Sequence, residues 1–243
     1  MLKTVLVTGA SRGIGRAIAT AFAKAGYNVA LNCVKEKTKL DRLCEELRAY
    51  NSGKIIECVG DISDPDYVRS MFEKINQEFG GLDILINNAG ISIVGLFTEL
   101  KDDEWRKICG VNLDGAIWCA REAAKLMVQK HSGKIFNISS MWGQVGASCE
   151  VAYSATKGGI DSLTKALAKE LAPSDIQVNA ISLGVIDTEM NSFLSQEDKE
   201  ALTEEIPAGR FGKPEEAAEL ILSLCEGNNY LTGQIIRMDG GMI

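Results

Sequence analysis

Short apolar runs alternate with amphipathic stretches along the whole chain. The runs of strand length fall at residues 2–7, 28–32, 54–60, 82–87, 134–139, 176–182 and 234–238. After the first run and a glycine loop, Ile14, Ile18 and Phe22 recur at helical spacing. This alternation predicts a single α/β domain over residues 1–243, a doubly wound (Rossmann) sheet of seven parallel strands with helices on both faces.

Two of the predicted helical stretches have unusual patterns. Residues 102–130 are interrupted by Gly110, Asn112 and Gly115, and glycine costs about 1 kcal/mol relative to alanine inside a helix. We therefore expect a kink near Asn112, where a freed backbone carbonyl binds water; an exposed polar residue is the alternative. Residues 189–209 are polar and helical with few apolar anchors, which predicts a mobile substrate lid.

Charge and composition narrow the functional classes. The net charge of −7 and the isoelectric point near 5.0, without a basic stripe, argue against nucleic-acid binding. No apolar run is long enough to span a membrane, and the amino terminus lacks the cleavage region of a signal peptide. Seven cysteines without a C-x-x-C pair, and a single histidine, favour reduced thiols and no metal site. These features predict a cytoplasmic protein.

The loop after the first strand has the features of a phosphate-binding loop. Gly9, Gly13 and Gly15 lie between a predicted strand and a predicted helix, in the spacing G-x-x-x-G-x-G. Glycines let the backbone turn tightly against a pyrophosphate, and the helix amino terminus offers unpaired N–H groups. A purely structural turn is the alternative, but the flanking strand and helix favour a dinucleotide site.

The end of the second strand bears on the choice of cofactor. NAD sites place an acidic residue there to bind the ribose hydroxyls. Here the strand ends in Asn32, Cys33, Val34 and Lys35, and Arg12 lies in the glycine loop. Arg12 and Lys35 are suited to a 2′-phosphate, which favours NADP(H) over NAD(H); two solvated cations are the alternative.

Polar residues follow other predicted strands at their carboxyl ends, the edge where ligands bind in open α/β sheets. Asp61 follows the third strand and is predicted to hold the adenine amino group, with turn formation as the alternative. Asn88, Ala89 and Gly90 follow the fourth strand in a turn suited to a flat ligand, and Ser140 ends the fifth. We expect all of them to face one crevice.

Tyr153 and Lys157 are the strongest candidates for chemistry. Four residues apart on a helix, they share one face, about one turn from each other. Because a nearby ammonium favours the phenolate, we expect the phenol pKa to fall from roughly 10 toward neutrality. The pair alone has a plain alternative, a solvated lysine beside a half-buried ring.

Taken in order, these motifs resemble the short-chain dehydrogenase/reductase family over essentially the whole chain. The matching positions are Thr8, Gly9, Gly13, Gly15, Asp61, Asn87, Asn88, Ala89, Gly90, Asn112, Ser140, Tyr153, Lys157, Gly184 and Thr188. Each motif alone is weak, but the ordered set is specific. Within the family the chain is most similar to the 3-oxoacyl-(acyl-carrier-protein) reductases, from its length and from residues 209–216 and 230–241.

The resemblance implies a reductase that passes hydride from NADPH to a carbonyl. Tyr153 would donate the proton, Lys157 would lower the phenol pKa and hold the nicotinamide ribose, and Ser140 would bind the developing oxyanion. Asn112 would anchor a water that relays protons to Lys157. The candidate cofactor contacts are Gly9, Ser11, Arg12, Gly13, Ile14, Gly15, Lys35, Asp61, Ile62, Asn88, Ala89, Gly90, Tyr153, Lys157, Gly184, Ile186 and Thr188.

The resemblance also implies a cytoplasmic homotetramer, a dimer of dimers built on residues 102–130 and 153–172, that reduces 3-oxoacyl thioesters in fatty acid biosynthesis. One departure is Leu183, which precedes Gly184 where the family usually has proline, so a looser lid hinge is expected.

The substrate and its carrier stay open at this point. Around the predicted pocket mouth the chain offers Lys130 and Lys134 but no arginine, and an acidic acyl carrier protein must meet a chain of charge −7. A coenzyme A thioester or a free ketone, including a hydroxysteroid or a sugar, is the alternative. The apolar side chains predicted to line the pocket favour a substrate other than a sugar. They are Met141, Trp142, Val145 and Met190. A non-catalytic nicotinamide-binding protein is a third hypothesis, disfavoured because Tyr153 and Lys157 are both present.

Overall fold

One sheet of parallel strands organises this computed structural model, which describes residues 2–192 and 194–243. The strands are β1 (Thr4–Val7), β2 (Asn28–Cys33), β3 (Ile55–Val59), β4 (Ile84–Asn87), β5 (Gly133–Ser140), β6 (Ile176–Leu183) and β7 (Ile235–Met238). Their order across the sheet is β3-β2-β1-β4-β5-β6-β7, and every pairing is parallel. The predicted doubly wound α/β fold of seven strands is confirmed.

Helices cover both faces of the sheet. They are α1 (Gly13–Lys24), α2 (Lys37–Arg48), α3 (Pro65–Phe79), α4 (Asp102–Cys109), α5 (Gly115–Lys130), α6 (Trp142–Val145), α7 (Val151–Leu171), α8 (Gln196–Glu205) and α9 (Pro214–Cys225). Apolar side chains of α1, α2 and α9 pack into the core on one face, and those of α3, α5 and α7 pack on the other. Apart from the edge strands β3 and β7, the strands between them are almost entirely buried on both sides, which explains their continuous apolar sequences.

The sheet order reverses at β1, which lies between β2 and β4. The chain runs outward to β3 in one direction and then to β7 in the other. In such a sheet a crevice forms outside the carboxyl ends of the central strands. The backbone N–H of Thr8 donates to the carbonyl of Ile86 at 3.1 Å, so the loop after β1 stays beside the end of β4.

Strand boundaries lie within two residues of the predicted ones. β1 begins at Thr4 and β4 at Ile84, each two residues later than predicted. β1 begins at Thr4 because pairing with β2 begins there, with Thr4 opposite Asn28. Helix α7 begins at Val151, two residues before the predicted start at residue 153.

The helical stretch over residues 102–130 contains the predicted interruption. A π-helical turn at Gly110–Asp114 separates α4 from α5. Such turns are rare and occur frequently at functional sites. Asn112 lies within this turn and is only 2% exposed, so the alternative of an exposed polar residue is wrong.

The segment predicted as a lid begins with a 3-10 turn at Glu189–Asn191 and continues into α8, in which no residue is buried. Phe193, which also belongs to that segment, lies outside the described residues. Leu183 is a buried strand residue paired with Met238, so the proline position of the family falls at the very end of β6. Motion of the segment and the effect of Leu183 on its hinge stay predictions.

Two features of the structure bear on membrane insertion and metal binding. Across residues 2–192 and 194–243, no helix has the length and apolar character needed to cross a bilayer. Those residues also contain no group of three or more His, Cys, Asp and Glu side chains placed to hold a metal ion. All seven cysteines are free thiols, and five of them are buried.

Candidate active site

A hydrogen-bond network joins the loop after β1 to the turn after β4. The Thr8 hydroxyl accepts from the backbone N–H groups of Asn88 and Ala89, both at 3.0 Å. The Asn88 side-chain amide donates in return to the carbonyl oxygens of Thr8, at 2.9 Å, and of Gly9, at 3.2 Å. The Asn88 side chain therefore holds the glycine loop in place. Because the side chain is engaged there, Asn88 would contact a cofactor through its backbone atoms.

Two glycines of the loop are required by close packing. At Gly9, φ is +65°, and a Cβ there would lie 2.9 Å from the Cα of Ala89. A Cβ on Gly15 would lie 2.3 Å from the carbonyl oxygen of Gly9. Helix α1 then begins at Gly13 without a side-chain cap from Arg12, its N-cap residue. Because a helix amino terminus without a side-chain cap is a natural phosphate site, the loop fits the diphosphate of a dinucleotide.

The turn after β6 closes against the same loop. A Cβ on Gly13 would lie 3.4 Å from the Cγ2 atom of Thr188, so these two predicted cofactor residues face each other. Gly184 packs closely on the chain after β7, where a Cβ would lie 2.7 Å from the Cα of Asp239. Two further loop residues are covered, since Ser11 is buried and Ile14 packs partly against the core.

Three other predicted cofactor residues have side chains engaged elsewhere. Asp61 Oδ1 accepts from the backbone N–H two residues later at 2.9 Å, which is the turn that the sequence left as its alternative. Ile62 is buried in the core, and a Cβ on Gly115 would lie 2.7 Å from it. Ile186 is buried as well. Ile62 and Ile186 can therefore meet a cofactor only through backbone atoms, and the adenine role of Asp61 stays a prediction.

Ser140, Tyr153 and Lys157 meet at the carboxyl end of β5. The Lys157 Nζ atom lies 5.5 Å from the centroid of the Tyr153 ring and donates to the carbonyl oxygen of Ile138 at 2.7 Å. The Ser140 hydroxyl oxygen accepts from the backbone N–H of Trp142 at 3.2 Å and shares a hydrogen bond with the Tyr153 phenol. The residues predicted from sequence to carry the chemistry are thus brought together.

The pKa of the Tyr153 phenol moves opposite to the prediction. Burial raises it to about 12, the hydrogen bond with Ser140 opposes this rise, and the Glu150 carboxylate adds to it. The Lys157 ammonium, whose own pKa burial lowers to about 8, is not among the groups that shift the pKa of this phenol. The expected fall toward neutrality is therefore wrong for this structure, and Tyr153 keeps its proton at neutral pH.

Asp161 is a buried carboxylate that sequence reasoning missed. It lies one helical turn beyond Lys157, is 7% exposed, and its Oδ1 atom has no hydrogen-bond partner among the described residues. Burial raises its pKa, while a hydrogen bond from Ser139 and the charges of Lys165 and Lys157 lower it. Asp161 is also the carboxylate that opposes the fall of the Lys157 pKa. The available signal was spacing, since Tyr153, Lys157 and Asp161 recur every four residues.

Asn112 connects the π-helical turn to α7, the helix that carries Tyr153 and Lys157. Its amide nitrogen donates to the carbonyl of Ile91 at 2.8 Å and to the Thr156 hydroxyl at 3.2 Å, while its oxygen accepts from the Ile91 N–H at 2.8 Å. A Cβ on Gly90 would lie 3.5 Å from the Asn112 oxygen and 3.6 Å from the Lys157 Nζ atom. The side chain thus positions the segment after β4 beside Lys157. Its role as a water anchor stays a prediction.

Of the two residues predicted to bind a 2′-phosphate, only Arg12 lies at a carboxylate, which it shares with Lys39. Arg12 Nη1 lies 3.2 Å from Glu189 Oε2, and Lys39 Nζ lies 3.0 Å from the same oxygen. Lys39 and Glu189 were both missed from the sequence. Lys35, which was predicted here, is exposed and forms no ion pair within the residues that the structure describes. Two cations, one on the loop and one on α2, therefore meet at a single carboxylate.

Comparison with known proteins agrees with this geometry. The family model described as short chain dehydrogenase matches residues 3–199. The chain belongs to the short-chain dehydrogenase family. It is an oxidoreductase that acts on carbonyl or CH–OH groups with a nicotinamide cofactor. It is 41% identical over 243 residues to a 3-oxoacyl-(acyl-carrier-protein) reductase, FabG, of Staphylococcus aureus, covering 100% of this chain and 98% of that protein.

Solved structures of other short-chain dehydrogenases superpose closely. A proposed gluconate dehydrogenase from Agrobacterium tumefaciens has a TM-score of 0.94 at 35% identity, covering 99% of this chain and 95% of its own. YwfH, an NADPH-dependent reductase of bacilysin biosynthesis, has a TM-score of 0.94 at 28% identity, covering 100% and 99%. The predicted family and fold are confirmed.

Replacing Asn112 with alanine should loosen the segment after β4. The change removes three hydrogen bonds from a buried side chain and leaves the Ile91 backbone groups unpartnered. We expect the free energy of unfolding to fall by about 1–3 kcal/mol in urea titrations. Asn76→Ala, at an exposed position on α3, is the matched control and should leave it nearly unchanged. An Asn112→Ala protein as stable as this control would contradict the positioning role.

Proposed function

We propose that this short-chain dehydrogenase reduces the 3-oxo group of an acyl thioester with NADPH, giving the secondary alcohol. The observation that carries the proposal is the meeting of Ser140, Tyr153 and Lys157 behind a loop that fits a dinucleotide diphosphate. The resemblance to 3-oxoacyl-(acyl-carrier-protein) reductases over the full chain supports the substrate class. The presence of all these residues speaks against a non-catalytic binding protein.

Tyr153 is the proton donor in this proposal. Its phenol has a pKa near 12, so the acid form is present throughout the neutral range. The bound dihydronicotinamide would supply a hydride to the carbonyl carbon, and the Tyr153 hydroxyl gives its proton to the oxygen. Ser140 donates a hydrogen bond to the same oxygen as negative charge develops on it. Reversal of these steps would oxidise an alcohol, with the phenolate as base.

Lys157 would stabilise the phenolate that remains after proton transfer. Its Nζ atom lies beside the Tyr153 ring, and an ammonium at that distance favours the negative charge in a buried site. With a pKa near 8, Lys157 can also exchange a proton at neutral pH. A lysine of this kind returns a proton to Tyr153 between turnovers, and Asn112 holds the neighbouring segment in place.

NADP(H) is proposed over NAD(H). The N–H groups of the first turn of α1 and the backbone of the glycine loop would hold the diphosphate. Arg12 and Lys39 would lie at the adenosine end of the cofactor. Arg12 Nη1 is 3.2 Å and Lys39 Nζ is 3.0 Å from the same oxygen of Glu189, so the two cations are close together. A 2′-phosphate carries the charge that two such cations favour. Lys35, exposed nearby in sequence, remains a further candidate contact.

Apolar surface near the catalytic residues favours an acyl chain over a sugar. Val145 and Met190, two of the predicted pocket residues, are exposed by 58% and 45%, whereas Met141 is buried in the core. A cavity of about 280 Å³ lies beside Ala152, next in sequence to Tyr153. Its lining combines the apolar side chains of Ile93, Val94, Leu96, Phe97, Leu100 and Val151 with the charged side chains of Glu99, Lys101 and Glu104. We propose that this surface and a lid at residues 189–209 enclose the substrate.

The two lysines near the predicted pocket mouth do not distinguish acyl carrier protein from coenzyme A as the carrier of the thioester. Lys130 pairs with Asp83, and Lys134 donates to backbone carbonyls of Leu224 and Asn228. Both cations are therefore engaged within the chain. An acyl carrier protein would need other basic residues to overcome the net charge of −7.

A cytoplasmic homotetramer, a dimer of dimers, is also proposed from the family resemblance. Its contacts would involve α4, α5 and α7. Exposed apolar side chains on these helices support this assembly, with Trp105 at 42%, Val128 at 38% and Val151 at 43%.

Turnover of a substrate panel tests the proposed reaction. Following NADPH oxidation, we expect activity with acetoacetyl thioesters on coenzyme A or acyl carrier protein, and little with sugars or hydroxysteroids. Tyr153→Phe should reduce turnover by more than about a thousandfold because the proton donor is gone, while the Kd for NADPH stays within about twofold. Turnover of this variant within tenfold of the natural protein would overturn the proton-donor role. Activity confined to sugars would overturn the thioester.

The cofactor preference is tested by replacing Arg12 with alanine. Loss of one charge-assisted hydrogen bond to the 2′-phosphate should raise the Kd for NADPH by about tenfold and leave that for NADH within twofold. Arg16→Ala is a matched control, because Arg16 also lies on the α1 side but pairs with Glu46 at 2.8 Å, away from the crevice. Equal effects on the two cofactors would contradict the assignment.

A further inference from the structure

The Glu189 carboxylate lies between the two cations assigned to the cofactor phosphate. Its Oε2 atom is 3.2 Å from Arg12 Nη1 and 3.0 Å from Lys39 Nζ, and its Oε1 atom is 3.3 Å from the same Lys39 nitrogen. These three residues come from three separate parts of the fold, the glycine loop, α2 and the segment after β6. One carboxylate thus takes the place that an anionic ligand of both cations would take.

Glu189 is the residue whose charge decides what this place can bind. Its pKa is lowered, first by the hydrogen bond from Lys39 and further by Arg12, so it is ionised at neutral pH. Glu36 is a second carboxylate in the neighbourhood, 3.6 Å from Lys39, and does not reach Arg12 within ion-pair distance. A phosphate that approaches the two cations must therefore displace Glu189 or bind beside its negative charge.

We propose that Glu189 competes with the 2′-phosphate of NADPH for Arg12 and Lys39 and so limits the preference of this enzyme for NADPH over NADH. The inference rests on the proposed use of Arg12 in NADPH binding. NADH has no 2′-phosphate, so the competition does not apply to it. Glu189 is therefore a residue that determines cofactor specificity. It lies after β6, whereas the acidic residue of NAD enzymes lies at the end of the second strand.

Displacement of Glu189 would also remove two of the contacts that hold the start of the lid segment. Glu189 opens the 3-10 turn Glu189–Asn191, which the Asn191 side chain ties to the carbonyl of Ile186 at 2.8 Å. The ion pairs with Arg12 and Lys39 are the links from that turn to the glycine loop and α2. Binding of NADPH would break these two ion pairs, while the Asn191 hydrogen bond and the packing of Thr188 on Gly13 would remain.

Solvent exposure of the three side chains limits how strongly Glu189 can weaken NADPH binding. The side chains of Glu189, Arg12 and Lys39 are all about half exposed, with relative accessibilities of 52%, 53% and 43%. Such pairs are weak in water and screened by salt. Removing the charge of Glu189 should therefore lower the Kd for NADPH by about three- to tenfold at low salt, and by less at 0.5 M salt.

Binding titrations of the whole protein test the proposal without relying on turnover. The Kd values for NADPH and NADH are measured by nicotinamide fluorescence for the natural protein, Glu189→Gln and Glu46→Gln. Glu46 is the control because it also pairs with an arginine on α1, Arg16, and is similarly exposed at 49%. We expect Glu189→Gln to tighten NADPH binding, to leave NADH within twofold, and to lose its advantage at high salt; Glu46→Gln should change neither.

Two results would overturn the inference. If the natural protein prefers NADPH and Glu189→Gln binds it with an unchanged Kd, Glu189 does not compete. If Glu189→Gln weakens NADH binding, Glu189 serves as the acceptor for ribose hydroxyls instead. A natural protein that binds both cofactors equally, with Arg12→Ala affecting both alike, would instead refute the proposed NADPH preference, so the two failures are distinguishable.

Discussion

Burial of the Lys157 ammonium is the constraint on which the candidate site depends. It is the only lysine or arginine that is buried within residues 2–192 and 194–243, at 4% exposure. An ammonium removed from water is costly unless hydrogen bonds and charges compensate. The carbonyl of Ile138, the ring of Tyr153 and the carboxylate of Asp161 surround it. The same burial accounts for the lowered pKa of Lys157, while burial of the Tyr153 phenol itself keeps that group protonated.

The fold that holds this lysine was predictable because its causes are local. Apolar runs of strand length, helical spacing after the glycine loop and glycines within residues 102–130 each produced the expected element. The convergence of Ser140, Tyr153 and Lys157 was also expected, because carboxyl ends of parallel strands share one edge. Spacing along α7 placed the ring and the lysine on one face, as found.

What the sequence did not reveal depends on contacts across the chain. The sign of the Tyr153 pKa shift was wrong because spacing shows that a cation is near but not how much water is removed. Glu189 lies 177 residues from Arg12 and 150 from Lys39, and no local pattern joins them. The Asn88 side chain donates to the carbonyl oxygens of Thr8 and Gly9, about 80 residues away, and no local pattern names these partners.

The pH dependence of the reaction in both directions tests the central claim, that a protonated Tyr153 is the acid. For a phenol with a pKa near 12, reduction should be almost independent of pH between 6 and 8. Oxidation needs the phenolate, so its kcat/KM should rise by about tenfold for each pH unit over the same range. Oxidation that is flat with pH, or reduction that accelerates as pH rises, would contradict the account.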